Sequence, residues 1–289
     1  MRWIVAGAGG MLGTDVVEVL RAAGHEVVGL TRAEVDVTDV EACRRAVGAV
    51  GAADVLVNCT AHTAVDAAES EEGAAFAVNA VGARNLALAA RDAGARFLHV
   101  STDYVFDGEA DEPYAPDALP TPRGAYGRTK AAGEWAVRAS GADALVVRTA
   151  WLYGEHGGCF PKTMVTVGRA RGALSVVDDQ VGQPTWTRDV AQLLLRLVAA
   201  QAPAGTYHAV AAGRCSWFDF AGAVLASAGL DAVELKPTTS AEFVRPAPRP
   251  AFSVLSTANL SGVGVEPIGD WRERWDVAAA TVLADGEVL

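Results

Sequence analysis

Seven residues near the start of the chain, Gly7-Ala8-Gly9-Gly10-Met11-Leu12-Gly13, leave few choices for the fold around them. Glycines stand three and three apart, directly between a β-branched run, Arg2 to Ala6, and a periodic segment from about Gly10 to Ala23. That segment puts Leu12, Val16, Val19 and Leu20 on one face and stops at Gly24, which predicts an amphipathic helix with a glycine end. Gly7 permits a tight turn, Gly10 lets the main chain approach a pyrophosphate, and Gly13 lets the helix pack closely on a sheet. The helix N-terminus adds N–H donors and partial positive charge for a diphosphate. A glycine-rich turn that merely joins two elements is the plain alternative, and the placement between strand and helix argues against it.

The same rhythm continues downstream. Strand-like runs at Glu26 to Leu30, Asp54 to Asn58, Arg96 to Ser101 and Ala144 to Thr149 alternate with alanine-rich stretches long enough to cross over a parallel sheet. The fold class expected is α/β, a doubly wound parallel sheet. After about residue 170 the pattern loosens into a strand at Leu174 to Val177, a polar loop from Asp178 to Thr187, a helix from about Asp189 to Ala200 and shorter mixed elements. A second, smaller region is expected there. The loop from Asp107 to Pro122 holds four prolines and several acids, too rigid and polar for a core element and expected to cover a cleft.

Composition narrows the function classes. A chain of 289 residues that is 51% hydrophobic can bury a sizeable core, as one large domain or two modest ones. Its net charge of −11 repels phosphate backbones, so no nucleic-acid partner is expected. No run approaches the roughly 18 apolar residues of a membrane span, and Met1 leads directly into the first strand, so no membrane association is expected and the cytoplasm is the expected location. Cys43, Cys59, Cys159 and Cys215 lack paired spacing and are read as reduced; His25, His62, His99, His156 and His208 are scattered, so no metal is expected.

The chemistry sits at three places. The second strand ends Leu30-Thr31-Arg32 with no acid there to take a ribose hydroxyl, so Arg32 is read either as a partner for a 2′-phosphate or as a solvated surface arginine, while Asp36 and Val37 flank an adenine. Tyr126 and Lys130 stand four apart at the start of a helical run, on one face, in a chain with only three lysines and five tyrosines. A phenol with a pKa of about 10 is a poor acid–base group at neutral pH, and an ammonium beside it is expected to bring it toward the working range. Thr102 closes the fourth strand, on the sheet edge where open α/β sheets bind ligands; its hydroxyl is read as a partner for a carbonyl under reduction, or else as a turn or cap residue.

The glycine spacing resembles that of the short-chain dehydrogenase/reductase superfamily. Ser101-Thr102-Asp103-Tyr104-Val105-Phe106-Asp107-Gly108, Tyr126-Gly127-Arg128-Thr129-Lys130 and the run Asn58 to Glu69 together resemble the dTDP-4-dehydrorhamnose reductase family, as do Arg148 to Gly154, Asp179 to Thr185 and Arg249 to Ser253. The resemblance implies a Rossmann domain over residues 1–170 and a mainly substrate-binding C-terminal α/β region over 171–289, with some segments returning to the first. It implies hydride transfer from NADPH (or NADH) to C4 of a dTDP-4-keto-6-deoxyhexose, with Tyr126 as proton donor, Lys130 at the nicotinamide ribose and Thr102 completing the catalytic trio. Gly7, Gly10, Met11, Leu12, Ala61, His62 and Thr63 would join Arg32, Asp36 and Val37 at the cofactor. Val65, Asp103, Tyr104 and Trp151 would join Thr102 and Tyr126 at the dTDP-sugar, although Trp151 also reads as a core aromatic. Some relatives are dimers bridged by magnesium through glutamates, and Asp15 stands at the first such position, where an ordinary helix acid is the simpler reading. A homodimer is compatible with the resemblance. A reductase of another deoxysugar nucleotide in antibiotic pathways, a regulatory subunit resembling that of methionine adenosyltransferase, and an epimerase that retains its NAD are the competing readings.

Overall fold

Runs rich in Val and Ile extend, and alanine-rich stretches form helices, as their side chains favour. The computed structural model describes residues 1–49 and 54–284. The first part runs β1 (Arg2–Ala6), α1 (Met11–Ala22), β2 (Glu26–Leu30), α2 (Val40–Ala49), β3 (Val55–Asn58), α3 (Val65–Ala68), α4 (Glu72–Phe76), a π-helical turn (Ala77–Gly82), α5 (Ala83–Asp92), β4 (Arg96–Thr102), α6 (Ala125–Ala139) and β5 (Ala144–Thr149). Then follow β6 (Leu152–Tyr153), α7 (Phe160–Arg171), β7 (Ala173–Val177), β8 (Val181–Gly182), β9 (Thr185–Trp186), α8 (Thr187–Ala199), β10 (Gly205–His208), β11 (Ala211–Ala212), β12 (Cys215–Ser216), α9 (Trp217–Ser227), β13 (Glu234–Thr238), β14 (Ile268–Asp270) and α10 (Trp271–Val282).

Six strands form one parallel sheet in the order β10-β5-β4-β3-β1-β2. The two-residue period of β1 sends Trp3 and Val5 to one face, into a core with Val16 and Leu20 of α1 and Leu193, Leu194 and Leu197 of α8. Ile4 and Ala6 point the other way, into a core with Val47 of α2, Leu86 of α5 and Phe97 of β4. Both faces are covered, so Val55 to Val57 in β3 are apolar without alternation. This is the Rossmann-type arrangement. From β1 the chain moves outward to β2 and then returns to β3 on the other side, which opens a crevice at the carboxyl ends of β1 and β3.

The expected strands hold to within one residue: β3 begins at Val55 and β4 runs on to Thr102. The first helix holds too, with Gly10 as N-cap, Ala23 as C-cap and Gly24 at φ +79°. β10 is weak in the sequence because Gly205-Thr206-Tyr207-His208 has only one large apolar residue; pairing with β5 makes it a strand. The stretch expected as a polar loop, Asp178 to Thr187, carries β8 and β9, the latter paired with β6 and the former with β12. Further along the chain, Tyr153, Trp186, Phe220 and Trp275 form a third, aromatic core, and β7 pairs with β13 beside α7 and α9. All four cysteines are free. Among the described residues no helix is long and apolar enough to cross a membrane.

Candidate active site

Two adjoining cavities, of about 700 and 610 Å³, lie over the carboxyl ends of β1, β3, β4 and β5 and share Gly9, Gly10, Cys59, Thr60 and Ala61. The glycine turn forms their floor. Gly7 sits at φ +83°, a conformation side chains disfavour, and a Cβ there would meet the Cys59 carbonyl carbon at 2.9 Å. A Cβ on Gly13 would lie 2.0 Å from the Gly7 carbonyl oxygen, so Gly13 is fixed by the turn itself rather than by the sheet. No side chain caps α1 and no acid occupies its first turn, which leaves its leading N–H groups facing the crevice for a diphosphate. This cradle fits a dinucleotide.

The smaller cavity lies over the end of β2. Gly7, Arg32, Asp36, Val37, Ala61 and His62 line it, as the sequence reading requires of a cofactor site. The larger cavity is lined by Gly10, Met11, Leu12, Thr63, Val65, Thr102, Asp103, Tyr104, Tyr126, Lys130 and Trp151, so every remaining candidate converges there. The Asp107 to Pro122 loop supplies none of the lining residues of either cavity, contrary to expectation. Instead Tyr114 stacks on Phe106 at 4.1 Å and donates to Asp107 at 2.7 Å, which pins the loop to the body of the protein.

Thr102 ends β4 with its hydroxyl donating to Asp103 Oδ1 at 2.8 Å and accepting from the Tyr104 amide at 3.2 Å. Burial pushes the Asp103 carboxyl up to about 6, against the pull of the Thr102 hydroxyl. Tyr126 stands in the first turn of α6, which has no cap of its own; the Glu69 carboxylate, from the end of α3, accepts from the Ala125 amide at 2.7 Å in its place. Gly127 lets that turn sit against Tyr104, because a Cβ there would lie 2.1 Å from the Tyr104 carbonyl oxygen. The two phenol rings meet edge to face at 5.6 Å.

Lys130 is buried, and its Nζ donates to the Val100 carbonyl at 2.7 Å. Burial lowers its pKa to about 8, while Glu134 and Cys59 act in the opposite direction. The expectation that Lys130 draws the Tyr126 phenol toward neutrality is corrected here. Burial and the Asp103 charge push the phenol up, and only the Thr102 hydroxyl opposes them. The phenol is therefore held protonated, the state a proton donor needs.

Three supporting features escaped the sequence reading. Asn79, in the π-helical turn, accepts from the His62 amide at 2.8 Å and donates to the Thr129 hydroxyl at 3.0 Å, tying a wall of the crevice to α6. Trp217, at the start of α9, lines the larger cavity and stacks on Trp151 at 3.6 Å and 6°. Trp151 has φ +45°, a strained value for a bulky residue, so that stack holds the indole where it is. Gly157 and Gly158 complete the rim, and the His156 ring in their loop lies 3.3 Å from the Glu18 carboxylate of α1. A chemical signal existed for Trp217 alone: the Ser216/Asp219 capping box marks a helix start that aims an aromatic outward.

The family profile described as the RmlD substrate binding domain matches residues 1–283. A dTDP-4-dehydrorhamnose reductase of Mycolicibacterium smegmatis is 45% identical over 284 residues, 98% of this chain and 86% of the relative. A protein of Streptomyces antibioticus named as a probable dTDP-4,6-dihydroxy-2-methyloxan-3-one 4-ketoreductase is 44% identical, over 98% of this chain and 96% of its own. Among solved structures, a dTDP-4-dehydrorhamnose reductase of Bacillus anthracis in complex with NADP superposes with a TM-score of 0.92 at 35% identity, covering 96% of this chain and 98% of that one. Profile, relatives and fold agree, and the chain belongs to the dTDP-4-dehydrorhamnose reductase family.

Proposed function

We propose that the protein reduces the C4 ketone of a dTDP-4-keto-6-deoxyhexose with NADPH or NADH, dTDP-4-dehydro-L-rhamnose being the substrate and dTDP-L-rhamnose the product. The observation that carries this reading is the convergence of Thr102, Tyr126 and Lys130 on the cavity that also receives the glycine turn. When bound, the reduced nicotinamide supplies the hydride. The chain's own residues do the rest. As C4 gains the hydride, negative charge develops on its oxygen, and the Tyr126 O–H donates the proton that makes the alcohol. Thr102 fixes that oxygen in place once its hydroxyl turns to it from Asp103. The Lys130 ammonium, directed by the Val100 carbonyl, holds a ribose hydroxyl. Val65, Asp103, Tyr104 and Trp151 orient the sugar.

The intact trio speaks against the regulatory-subunit reading. A ketoreductase of an antibiotic deoxysugar is the second reading, favoured by the Streptomyces antibioticus relative, whose identity to this chain nearly equals that of the rhamnose enzyme. The same proposal assigns residues 1–170 chiefly to the cofactor and 171–289 chiefly to the sugar. It keeps the protein in the cytoplasm without nucleic acid or metal, and makes a homodimer the assembly to test by sedimentation. Purified protein given NADPH and dTDP-4-keto-6-deoxy-L-mannose is expected to consume the reduced nicotinamide and yield one C4 epimer by NMR. Turnover with the D-gluco ketone alone establishes the second reading, and cofactor that co-purifies without net consumption establishes an epimerase.

Two further outcomes follow from the site. Because Lys130 acts as the ammonium and its pKa is lowered to about 8, kcat/KM is expected to be full below that value and to fall as the pH rises through it. A flat profile to pH 9 would remove Lys130 from that role. Trp217→Ala leaves Trp151 without its stacking partner and is expected to raise KM for the sugar by about tenfold, with kcat changed far less. An equal fall in kcat and kcat/KM would place Trp217 in the chemistry instead.

A further inference from the structure

Three hydroxyls around the strand ends beneath the larger cavity are already engaged. Thr60, just past β3, donates to the Asn58 side chain at 2.6 Å, Ser101 to Glu134 at 2.7 Å and Thr102 to Asp103 at 2.8 Å. Thr149 closes β5 and lines the same cavity, but it differs from them. It is 4% exposed, and among the described residues its hydroxyl has no hydrogen-bond partner. A buried hydroxyl without a partner costs free energy that a valine of the same shape would avoid. A group of that kind at a strand end over a cavity points to a partner from outside the chain. The position says which partner. The two-residue period of β5 puts Thr149 on the face of Leu145 and Val147, which belong to the core built with α1. This is the side of the sheet on which the glycine turn and α1 hold a dinucleotide, and Met11 and Leu12 line the cavity there.

We propose that the Thr149 hydroxyl binds the carboxamide of the nicotinamide, and so fixes the rotation of that ring beside Thr102 and Tyr126. The inference rests on the dinucleotide reading of this site. Thr149 pairs in register with Thr102, the residue read as holding the ketone oxygen. Hydride transfer needs the reacting ring carbon within about 3–3.5 Å of the ketone carbon. The carboxamide is attached to the neighbouring ring carbon, so it lies beside Thr102 as well. Adjacent strands are about 4.8 Å apart, which brings the end of β5 within reach of that group. A carboxamide carries both a donor and an acceptor, and a threonine hydroxyl serves either. The sugar lies toward the Trp151 and Trp217 stack, whereas Thr149 faces the α1 side.

The test uses binding and stability rather than turnover. NADH and NADPH are titrated calorimetrically into the full-length protein beside ADP-ribose and 2′-phospho-ADP-ribose, the same molecules without the nicotinamide. Thr149→Val is expected to weaken the reduced dinucleotides by about tenfold while changing their nicotinamide-free counterparts less than about twofold. The free Thr149→Val protein is expected to have a urea midpoint at or above that of wild type, because the variant removes an unpaired buried hydroxyl. Thr149→Ser keeps the hydroxyl and is expected to hold the reduced dinucleotides within about threefold of wild type. An equal change for ligands with and without nicotinamide, or no change for either, overturns the inference. So does a lower urea midpoint for Thr149→Val, which would show that the hydroxyl is paired within the protein, and so does a loss in Thr149→Ser as large as in Thr149→Val. Failure of wild type to bind any of the four ligands overturns the dinucleotide reading itself, and the inference with it.

Discussion

Tyr126→Phe abolishes most of the turnover, lowering kcat by roughly 10²–10⁴-fold, the range that a positioned proton donor contributes. The substitution isolates the proton. Tyr126 touches Tyr104 through its ring, an edge-to-face contact at 5.6 Å that phenylalanine retains, and its hydroxyl is not needed to hold α6, whose first turn is capped by Glu69. Dinucleotide and sugar affinities should therefore stay within about twofold, so that kcat and kcat/KM fall together. Thr102→Val is expected to cost less, because its hydroxyl orients the reacting oxygen without supplying the proton. The structure also fixes the sense of the pH effect. Burial and Asp103 hold the phenol protonated across the neutral range, so proton donation by Tyr126 needs no deprotonated partner and does not fail as the pH falls to 6. A variant that keeps more than about a tenth of the wild-type kcat would take the proton donor away from Tyr126 and pass the role to Asp103, the carboxylic acid lining the same cavity.

What the sequence made legible was whatever is encoded locally. The glycine turn, the strands and the Tyr126/Lys130 spacing are each written within a few residues, so their neighbours in the chain suffice to read them. Each candidate residue was found in one of the two cavities for the same reason: it sits at the carboxyl end of a strand, in the loop that follows one or in the opening turns of a helix, and the sheet order brings those segments together. What was missed depends on partners far away in the chain. Trp217 reaches Trp151 across 66 positions, and neither indole announces the other. Asn79 reads as an ordinary helix residue until the π-helical turn aims it at His62 and Thr129. The sign of the Tyr126 shift was misread because spacing places an ammonium near a phenol but says nothing of the Val100 carbonyl that holds it, or of the Asp103 carboxylate that opposes it. The loop from Asp107 to Pro122 was misplaced for a related reason: its prolines fix its stiffness, whereas Tyr114 fixes where it lies.

Arg148 presents the largest stability effect, and sequence alone gives no hint of it. Its guanidinium, 1% exposed, makes two parallel bonds of 2.8 Å to the Glu134 carboxylate, 0% exposed, lies 4.9 Å from the Phe106 ring centre, and donates to the Pro116 carbonyl at 3.2 Å. Ser101 donates to the same carboxylate at 2.7 Å and Arg138 at 3.0 Å. Burial alone would raise the Glu134 pKa, but these donors, Arg148 first, outweigh it and hold the carboxyl below its ordinary value of 4.5. A group depressed on folding stabilises the native state above its unfolded pKa, so this contribution is complete at neutral pH and is lost as the pH falls below about 4.5 toward the folded value. Arg148→Met leaves the carboxylate buried with Ser101 and a half-exposed Arg138, and is expected to destabilise the protein by about 3–5 kcal/mol, read as a lower urea midpoint at unchanged slope. Arg148→Met combined with Glu134→Leu removes both charges and is expected to recover much of that loss, because desolvation of the pair is removed with its attraction. The double variant also separates stability from chemistry. Glu134 supports the charge on Lys130, so a refolded, stable double variant should show its alkaline fall in kcat/KM below pH 8. If the fall stays at the wild-type position, the Glu134 and Arg148 pair braces the sheet edge without tuning the lysine; if the single variant unfolds at the wild-type urea concentration, the pair does neither.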